Sequence, residues 1–394
     1  MPFREREIGS ADPRICGGRL SIDVGALAAN YRLLSSKAHP ARVAGVVKAN
    51  AYGLGLEVVA PVLWAEGCRI FFVALPHEGV ALRALLPEAE IYVLAGLFES
   101  HAAQIYGEAG LIPVLNDEAD ISIWEAYGWD GEDVSRPCAI HVDTGMNRLG
   151  LTGQQVKRFF HENKLTRALS PQLLMSHLAC ADEPSAPMNR QQLEAFQVVD
   201  RLFSGIDSSL ANSSGVFLDA DYAFDIVRPG IALYGGAPQT GIANPMRPVA
   251  TVEARIVQVR HAKAGETVSY GAAETLQRDT IIAVAAAGYA DGLPRSLSGA
   301  GVPLRNALPS GGYGFIAGKR VPILGRVTMD LTLFDVTEIG AGAVSHGDWI
   351  ELFGPNIAID EAAAAAGTIP YELLTSLGAR YHRRVVNRER RTNG

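Results

Sequence analysis

The sequence predicts an α/β fold in which a (β/α)8 barrel of the TIM type is followed by a mostly-β domain. Short apolar, β-branched runs recur through the first 230 residues, and stretches with helical periodicity separate most of them. After about residue 245, Gly- and Pro-rich turns link the strand-like runs instead. Strands that alternate with helices pair in parallel through right-handed crossovers, and eight such units close into a barrel.

Eight runs account for the predicted barrel strands: Val43–Ala49, Ile70–Leu75, Ile91–Ala95, Leu111–Leu115, Ala139–Asp143, Leu173–His177, Ser208–Ser213 and Phe224–Arg228. Apolar residues at three- and four-residue steps predict the helices Leu56–Glu66, Glu78–Leu85, Asp117–Tyr127, Gln154–Asn163 and Arg190–Phe203. The last two strands are short, and little helix separates them.

Six further strands are predicted in the second domain: Thr251–Val259, Thr280–Ala287, Gly314–Ala317, Arg320–Leu324, Leu331–Val336 and Trp349–Phe353. Only the far C-terminus, which includes the alanine run Ala362–Ala366, looks helical. We therefore expect a barrel domain over residues 1–245 and a β-rich domain over residues 246–394.

The composition is that of a soluble globular enzyme, with 48% hydrophobic and 20% charged residues among 394. The net charge of −7 is spread without long runs, so neither nucleic acid nor a membrane is expected as a partner. The N-terminus lacks the apolar segment of a secretory signal, which predicts a cytoplasmic protein. The four cysteines form no Cys-x-x-Cys pair, so no zinc site or disulfide framework is expected.

Polar and charged residues gather where the predicted barrel strands end. Lys48 ends the first strand, Asp143 to Arg148 follow the fifth, and His177, Ser213 and Arg228 end the last three. Because the carboxyl ends of barrel strands surround one mouth, these residues are expected to meet there although they are far apart in sequence.

Lys48 closes an otherwise apolar strand. A buried ammonium is costly unless it is paired, neutralised or covalently bonded. One interpretation is a lysine that extends from the barrel rim into water. The other is a desolvated amine that forms a Schiff base with an aldehyde cofactor.

The segment Val46-Val-Lys-Ala-Asn-Ala-Tyr-Gly-Leu-Gly55 resembles the cofactor-lysine motif of alanine racemases. Eight further blocks of this family follow in order: Asp143–Gly150, Ser176–His177, Ala211–Ser213, Val227–Gly235, Val268–Gly271, Gly288–Gly292, Gly325–Asp330 and Ile369–Glu372. The resemblance runs from about residue 20 to residue 385. It implies a barrel followed by a β-rich domain, with pyridoxal 5′-phosphate as the cofactor and alanine as the substrate.

The resemblance also implies roles for single residues. Lys48 resembles the Schiff-base lysine and first base, and Tyr270 resembles the second base, which the partner subunit of a homodimer supplies. Arg228 resembles the arginine at the pyridine nitrogen, and His177 the histidine bonded to it. The remaining cofactor and substrate residues fall into two sets. Tyr52, Ser213, Gly230, Ile231 and Tyr371 look like phosphate binders; Arg148 and the Met329 backbone look like holders of the substrate carboxylate, and Tyr289 like a guard of the substrate entrance.

Racemisation explains the need for two proton-handling groups. The cofactor ring acidifies the α-C–H bond, and a proton must then leave one face of the substrate and arrive on the other. A guanidinium at the pyridine nitrogen can only donate a hydrogen bond and disfavours protonation there. We hypothesise that Arg228 thereby limits side reactions such as transamination.

Three residues depart from the family pattern. His141 stands where some members carry a carbamylated lysine that orients the carboxylate-binding arginine, so a bound anion such as chloride, or His141 itself, is expected to orient Arg148. Asn147 replaces the usual glycine, and Thr328 stands where many relatives have cysteine. These changes leave the preference for alanine open.

Two alternatives remain at this stage. One is a racemase of broader specificity or a serine racemase with the same mechanism. The other is a non-catalytic carrier of the cofactor, a class that resembles this chain near Lys48 but lacks the second domain and its Tyr270.

Overall fold

The computed structural model describes residues 3–8, 12–127, 136–161, 169–203 and 205–388. The chain divides into two compact units, which we name the barrel unit and the β unit. The barrel unit holds Ala28–Leu233 and Ala237–Met246, and the β unit holds Met1–Leu27, Tyr234–Gly236 and Arg247–Gly394. The domain boundary expected between residues 245 and 246 stays a prediction. Among the helices described, none is long and apolar enough to cross a membrane.

The barrel strands are β3 (Arg42–Val43), β4 (Gly45–Val46), β5 (Ile70–Val73), β6 (Glu90–Val93), β7 (Ile112–Leu115), β8 (Arg136–Asp143), β10 (Leu169–Met175), β11 (Asp207–Ser209) and β12 (Ile226–Val227), with a short strand β9 (Leu151–Thr152) beside β8. Parallel ladders join β4 to β11 in chain order apart from β9, and β12 pairs with β3. The N–H groups of Asp225 and Arg228 donate to Ser208 and Ala211, which joins β11 to β12. Because β3 and β4 are one strand interrupted at Ala44, eight parallel strands close the ring. The predicted (β/α)8 barrel is confirmed.

Helix α1 (Val24–Ala38) precedes the first of these strands. Helices follow most of them: α2 (Leu56–Ala65), α3 (Pro76–Leu85), α4 (Ala102–Ala109), α5 (Glu118–Tyr127), α6 (Gly153–His161) and α7 (Pro187–Asp200). The predicted helix Gln154–Asn163 corresponds to α6, and its last residue lies outside the described residues. Two 3₁₀ turns, Gly215–Phe217 and Ala220–Tyr222, stand between β11 and β12. Strands β5 and β7 are buried along their whole length, as expected for parallel strands covered on both faces.

The β unit contains β1 (Arg6–Ile8), β2 (Gly18–Asp23), β13 (Ala250–Ala262), β14 (Thr267–Val268), β15 (Glu274–Thr275), β16 (Thr280–Ala285), β17 (Tyr313–Ile316), β18 (Lys319–Leu324), β19 (Thr332–Asp335), β20 (Trp349–Phe353) and β21 (Tyr381–Val386). The order β13-β16-β19-β18-β17-β20 closes on itself because β20 also pairs with β13. Every pairing around this ring is antiparallel, so the second domain is a small β-barrel. The six predicted strands all lie in it.

The C-terminal part of the β unit is helical only in part. The alanine run lies in α8 (Ile359–Ala366), as predicted, and α9 (Pro370–Thr375) follows. The chain then returns to a strand, β21, which pairs in parallel with β2. Tyr381 and Val385 on β21 are buried, so packing against the sheet replaces the helix expected for this segment.

Candidate active site

The segment that follows the first barrel strand is a left-handed turn. Ala49, Asn50, Ala51 and Tyr52 all have φ between 52° and 55°. Such a conformation costs about 1–2 kcal/mol for each residue with a Cβ atom. Side-chain and backbone groups hold the turn: Asn50 Oδ1 accepts from Leu56 N–H at 2.8 Å, and Gly53 N–H donates to Ala49 O at 2.8 Å.

Lys48 stands at the start of this turn, two residues beyond β4. Its side chain is half-buried. Burial lowers the pKa of the Lys48 amine, and the charge of Arg148 lowers it further, while Glu78 acts in the opposite direction. The neutral amine is therefore more accessible at neutral pH than in an exposed lysine, which favours nucleophilic and proton-accepting roles.

The loop after β8 is shaped by its first carboxylate. Asp143 Oδ1 accepts hydrogen bonds from the backbone N–H groups of Gly145, Met146 and Asn147 at 2.9–3.1 Å. Asp143 therefore fixes the loop that presents Arg148, which is exposed. Asn147 has φ of 55°, a region that asparagine tolerates better than most residues with a side chain. This geometry explains how the loop accommodates asparagine at this position.

Arg228 lies directly after β12 and is buried, with 4% of its surface exposed. It donates hydrogen bonds to Ser209 Oγ and to Ser176 O, the latter at 2.5 Å. Burial lowers the pKa of its guanidinium to about 9, so it is still charged at neutral pH. Within the described ranges no carboxylate pairs with it, which leaves a buried positive charge for an external acceptor.

His177 is held in one tautomer by Arg228. Its Nδ1 lies 3.4 Å from Arg228 Nη2. Because a guanidinium can only donate, Nδ1 accepts and the proton of the neutral ring stays on Nε2. Burial, and then the charge of Arg228, hold the pKa of His177 well below its ordinary value.

His141 on β8 is held by a hydrogen bond to Asn116. Its Nδ1 lies 2.7 Å from Asn116 Oδ1, while Asn116 Nδ2 donates to Leu94 O and Val114 O at 3.1 and 2.9 Å. The amide oxygen must therefore accept, and Nδ1 of His141 donates. Burial lowers the pKa of His141 to about 4, and Arg228 and Arg148 act in the same direction.

The loop after β12 packs against the left-handed turn. Ser213 Oγ accepts from the N–H groups of Gly230 and Ala232 at 2.8 and 3.2 Å. A Cβ atom on Gly230 would overlap the Tyr52 hydroxyl, so glycine is required for this approach. Tyr52, Ser213, Gly230 and Ile231, which the resemblance links to phosphate, are all buried.

The charges of the barrel unit fit an anionic ligand. Lys48, Arg148 and Arg228 are close enough that all three disfavour protonation of His177. Positive charges gathered in this way, with small buried residues beside them, suit a phosphate or carboxylate group. The barrel unit thus brings together nine of the residues predicted from the sequence: Lys48, Tyr52, His141, Arg148, His177, Ser213, Arg228, Gly230 and Ile231.

The β unit carries the other four predicted residues, three of them on turns and loops and Tyr371 on α9. Tyr270 begins a 3₁₀ turn, Tyr270–Ala272, and 73% of its surface is exposed. Ser269, with φ of 68°, donates from Oγ to Arg326 O at 3.0 Å. Tyr270 is therefore supported by the loop that continues to Thr328 and Met329.

A second pair of contacts joins Tyr289 to the same loop. Tyr289 N–H donates to Thr328 O and Ala290 N–H donates to Met329 O, both at 3.0 Å. The Met329 carbonyl is thus occupied, and its side chain is exposed. Tyr371 lies on α9 and is also exposed; Gly378, just beyond α9, donates to Asp291 O at 3.3 Å.

Sequence reasoning missed several residues that support the barrel site: Glu78, Asn116, Ser176, Gln192 and Ser209. Gln192 is fully buried and bonds to Thr144 Oγ1, His177 O and Ala179 N–H. Asn116 directly follows β7, so its place at a strand end was the available signal. Glu78 and Gln192 lie on helices, where a polar residue ordinarily means a solvated face.

The described residues contain no candidate metal site, because no group of three or more His, Cys, Asp or Glu side chains among them could hold an ion. All four cysteines are free thiols. Burial raises the pKa of Cys68 to about 12, so this thiol is not reactive at neutral pH.

Fold and site define a class: enzymes built from a (β/α)8 barrel with an activated lysine at its mouth, followed by a β-barrel domain. The family of alanine racemase N-terminal domains matches residues 22–238, and that of alanine racemase C-terminal domains matches residues 249–385. The chain belongs to the alanine racemase family.

Individual relatives are similar in sequence to this protein over almost the whole chain. The alanine racemase of Rhizobium meliloti is 52% identical over 93% of this chain and 96% of its own length. The biosynthetic alanine racemase of Agrobacterium fabrum is 53% identical, with 93% of each chain covered. Alanine racemase from Bartonella henselae, crystallised with covalently bound pyridoxal phosphate, is 37% identical with a TM-score of 0.86, covering 94% of this chain and 99% of that chain.

Proposed function

We propose that this protein interconverts L-alanine and D-alanine with pyridoxal 5′-phosphate as its cofactor, using Lys48 and Tyr270 as the two bases. It is an isomerase of the amino-acid racemase type. The observation that carries the proposal is the amine of Lys48, which stands at the carboxyl end of the first barrel strand with a lowered pKa among cationic side chains. Membership of the family over both domains supports it.

The barrel residues fit the cofactor. Lys48 would hold it covalently through the amine, and Tyr52, Ser213 and the backbone N–H of Ile231 would bind the phosphate. Gly230 N–H is bonded to Ser213 in the structure, so glycine supports the phosphate site chiefly by admitting Tyr52. Tyr371 of the β unit is proposed as a further phosphate ligand. When bound, the cofactor ring delocalises negative charge from the substrate and so acidifies its α-C–H bond.

Two groups move the α-proton. Lys48, whose pKa is lowered, accepts or delivers it on one face, and Tyr270 does so on the other. Arg148 and the Met329 backbone N–H hold the substrate carboxylate, which sets the α-carbon between the two bases. Tyr289 is proposed to limit the size of the side chain that enters.

Arg228 and His177 serve the pyridine nitrogen. The buried guanidinium would donate a hydrogen bond to that nitrogen, and His177, which accepts from Arg228 Nη2, would orient the guanidinium. Because Arg228 keeps its charge at neutral pH, it disfavours a proton on the ring nitrogen. Replacing it in Arg228→Glu should increase transamination per turnover, measured as pyruvate formed. Unchanged pyruvate formation would remove this part of the proposal.

His141 is proposed to orient Arg148. Asn116 fixes its Nδ1 as the donor, so the lone pair of Nε2 is left to accept a hydrogen bond. A neutral ring of low pKa can accept without adding charge. A high-resolution map that shows neither His141 nor a chloride ion near the Arg148 guanidinium would contradict this assignment.

The central test is to reduce the enzyme with borohydride and identify the labelled peptide by mass spectrometry. The label should lie on Lys48, and Lys48→Ala should lose racemisation of L-alanine by about 10⁴-fold or more. Lys263→Ala is the matched control, because this exposed lysine of the β unit should change neither result. A label elsewhere would end the proposal.

A second test concerns the shared site of a homodimer. Lys48→Ala and Tyr270→Phe subunits are unfolded together, refolded and assayed. If Tyr270 acts on the partner's cofactor, a mixed dimer contains one site with both bases intact, and activity returns to roughly a quarter of wild type. If both bases come from one chain, every site lacks one of them and no activity returns.

Substrate range and biological role follow from the same site. A non-catalytic carrier is disfavoured because the C-terminal racemase domain is present.

Values of kcat/KM for alanine and serine separate a strict alanine racemase from a broader one. The role is either to supply D-alanine for peptidoglycan or to degrade alanine. The Agrobacterium relative named biosynthetic is 53% identical and the one named catabolic is 41% identical, which supports the biosynthetic role. A cytoplasmic location stays part of the proposal.

A further inference from the structure

The left-handed turn after Lys48 needs support from outside itself. Residues with a Cβ atom disfavour the left-handed region, and Ala49, Asn50, Ala51 and Tyr52 all occupy it. Apart from asparagine, none of these residue types is commonly found there. Without external contacts the segment would relax, and the position of the Lys48 amine would change with it.

Glu78 supplies such a contact. It is the third residue of α3, and its Oε1 accepts a hydrogen bond from Ala49 N–H at 2.6 Å. Its Oε2 accepts from Ala74 N–H and Leu75 N–H at 2.8 and 3.1 Å. One carboxylate therefore joins the loop after β4 to the loop after β5. The bonds are charge-assisted, and such bonds are stronger than neutral ones.

The barrel uses the same arrangement a second time, where Lys48 is absent. Asp120 is the third residue of α5 and accepts from Leu97 N–H and Asn116 N–H, both at 2.8 Å. It joins the loop after β6 to the loop after β7. Glu78 and Asp120 thus share a helix position and a type of contact, and they differ in what the bonded loop carries.

We propose that Glu78 is a positioning residue for Lys48: its carboxylate fixes the left-handed turn and thereby places the amine that carries the cofactor. This inference rests on the role proposed for Lys48. The alternative is that Glu78 only caps the first turn of α3, since acceptance from Leu75 N–H is a capping contact. The bond to Ala49 is the contact that capping does not explain.

The test compares Glu78→Gln with Asp120→Asn in the holoenzyme. An amide has one acceptor oxygen, so each variant loses acceptance on one side of its bridge and also loses the charge. Both variants should lower Tm by similar amounts. Hydrogen exchange of the peptide 47–56 should become about tenfold faster in Glu78→Gln and stay unchanged in Asp120→Asn.

Cofactor retention is the second readout. Release of pyridoxal phosphate after dilution should be about tenfold faster in Glu78→Gln, and not in Asp120→Asn. Glu78→Asp keeps the charge but is too short to bridge both loops, so it should resemble Glu78→Gln; it carries the same test if the amide variant does not fold. If hydrogen exchange of residues 47–56 and release of pyridoxal phosphate change no more in Glu78→Gln than in Asp120→Asn, Glu78 only caps helix α3 and the proposal is wrong.

This outcome is separable from failure of the proposed function. Exchange of residues 47–56 reports on the turn whichever lysine carries the cofactor. The borohydride label reports on Lys48 whichever residue fixes the turn.

Discussion

The barrel unit and the β unit present their predicted site residues in opposite ways. In the barrel unit, Tyr52, Ser213 and Arg228 are buried, and hydrogen bonds fix the loops that carry them. In the β unit, Tyr270, Tyr289, Met329 and Tyr371 are all exposed. The surroundings of the three barrel residues are therefore formed by contacts within this chain.

This difference separates two ways of tuning a side chain. Burial and neighbouring cations already lower the pKa values of Lys48, His141 and His177 in the barrel. An exposed aromatic group acquires special properties only when another surface covers it. Exposed aromatic and apolar residues on adjoining loops are typical of interaction sites. The comparison therefore favours an interaction surface on the exposed loops of the β unit.

Among the variants that test this comparison, Tyr270→Phe has the largest expected effect. Loss of one of two bases should slow racemisation by about 10²–10⁴-fold. Tm should hardly change, because the side chain is 73% exposed. Tyr313→Phe, a second exposed tyrosine of the β unit, is the control and should keep full activity. A loss below tenfold, or a large fall in Tm, would break the comparison between the two units.

His141→Asn tests whether burial determines properties in the barrel. The folded pKa of His141, about 4, lies below the unfolded value of 6.5. The stability from keeping the ring neutral is present above pH 6.5 and is lost as the pH falls toward 4. Wild type should thus lose up to about 3 kcal/mol in this window through His141, a loss that the variant avoids.

Urea unfolding at pH 7 and pH 4.5 measures this difference. The substituted amide can still donate to Asn116 Oδ1, so the hydrogen bond is kept while the titration is removed. His177 is present in both proteins, and burial, Arg228 and Arg148 each lower its pKa more than His141 does. An equal loss of stability in acid for variant and wild type would contradict the assignment.

Gly230→Ala tests the close packing beside the proposed phosphate site. The added methyl group would overlap the Tyr52 hydroxyl, and overpacking of this kind costs about 1–3 kcal/mol. Tyr52→Phe removes the hydroxyl and should recover part of the cost in the double variant. Tm and cofactor affinity are the measurements. Strictly additive effects would show that the two residues do not meet in solution.

The smallest effect expected is at Asn147. Asn147→Ala should cost about 1 kcal/mol because alanine disfavours its φ of 55°. Asn147→Gly should change the free energy of unfolding by only a few tenths of a kcal/mol. Thermal unfolding of both variants measures the difference, and KM for alanine reports whether Arg148 has moved. If alanine is tolerated as well as glycine, the loop relaxes and Asp143 does not fix it.

Most of the barrel could be predicted because its strands are short apolar runs between amphipathic helices. The eight strands lie where the pattern predicts, and Lys48 and Arg228 follow strands as expected. Helices α1 and α4 were not predicted. Strand β2 also escaped prediction, because its pairing partners β13 and β21 lie more than 200 residues away.

The geometry around the predicted residues could not be read from the sequence. Alanine and tyrosine prefer right-handed or extended backbone, so nothing local predicts a left-handed turn at Ala49–Tyr52. Tertiary contacts from Glu78 oppose that preference. The pairing of Asn116 with His141 likewise depends on two neighbouring strands in register.

The parallel pairing of β2 with β21 also constrains how the protein is made. The ribosome releases residues 18–23 long before residues 381–386, with the whole barrel unit between them. Strand β2 must therefore wait, without one of its neighbours, while the barrel unit emerges and can fold first. Deletion of β21 would leave β2 with an open edge and would remove the partner of β1.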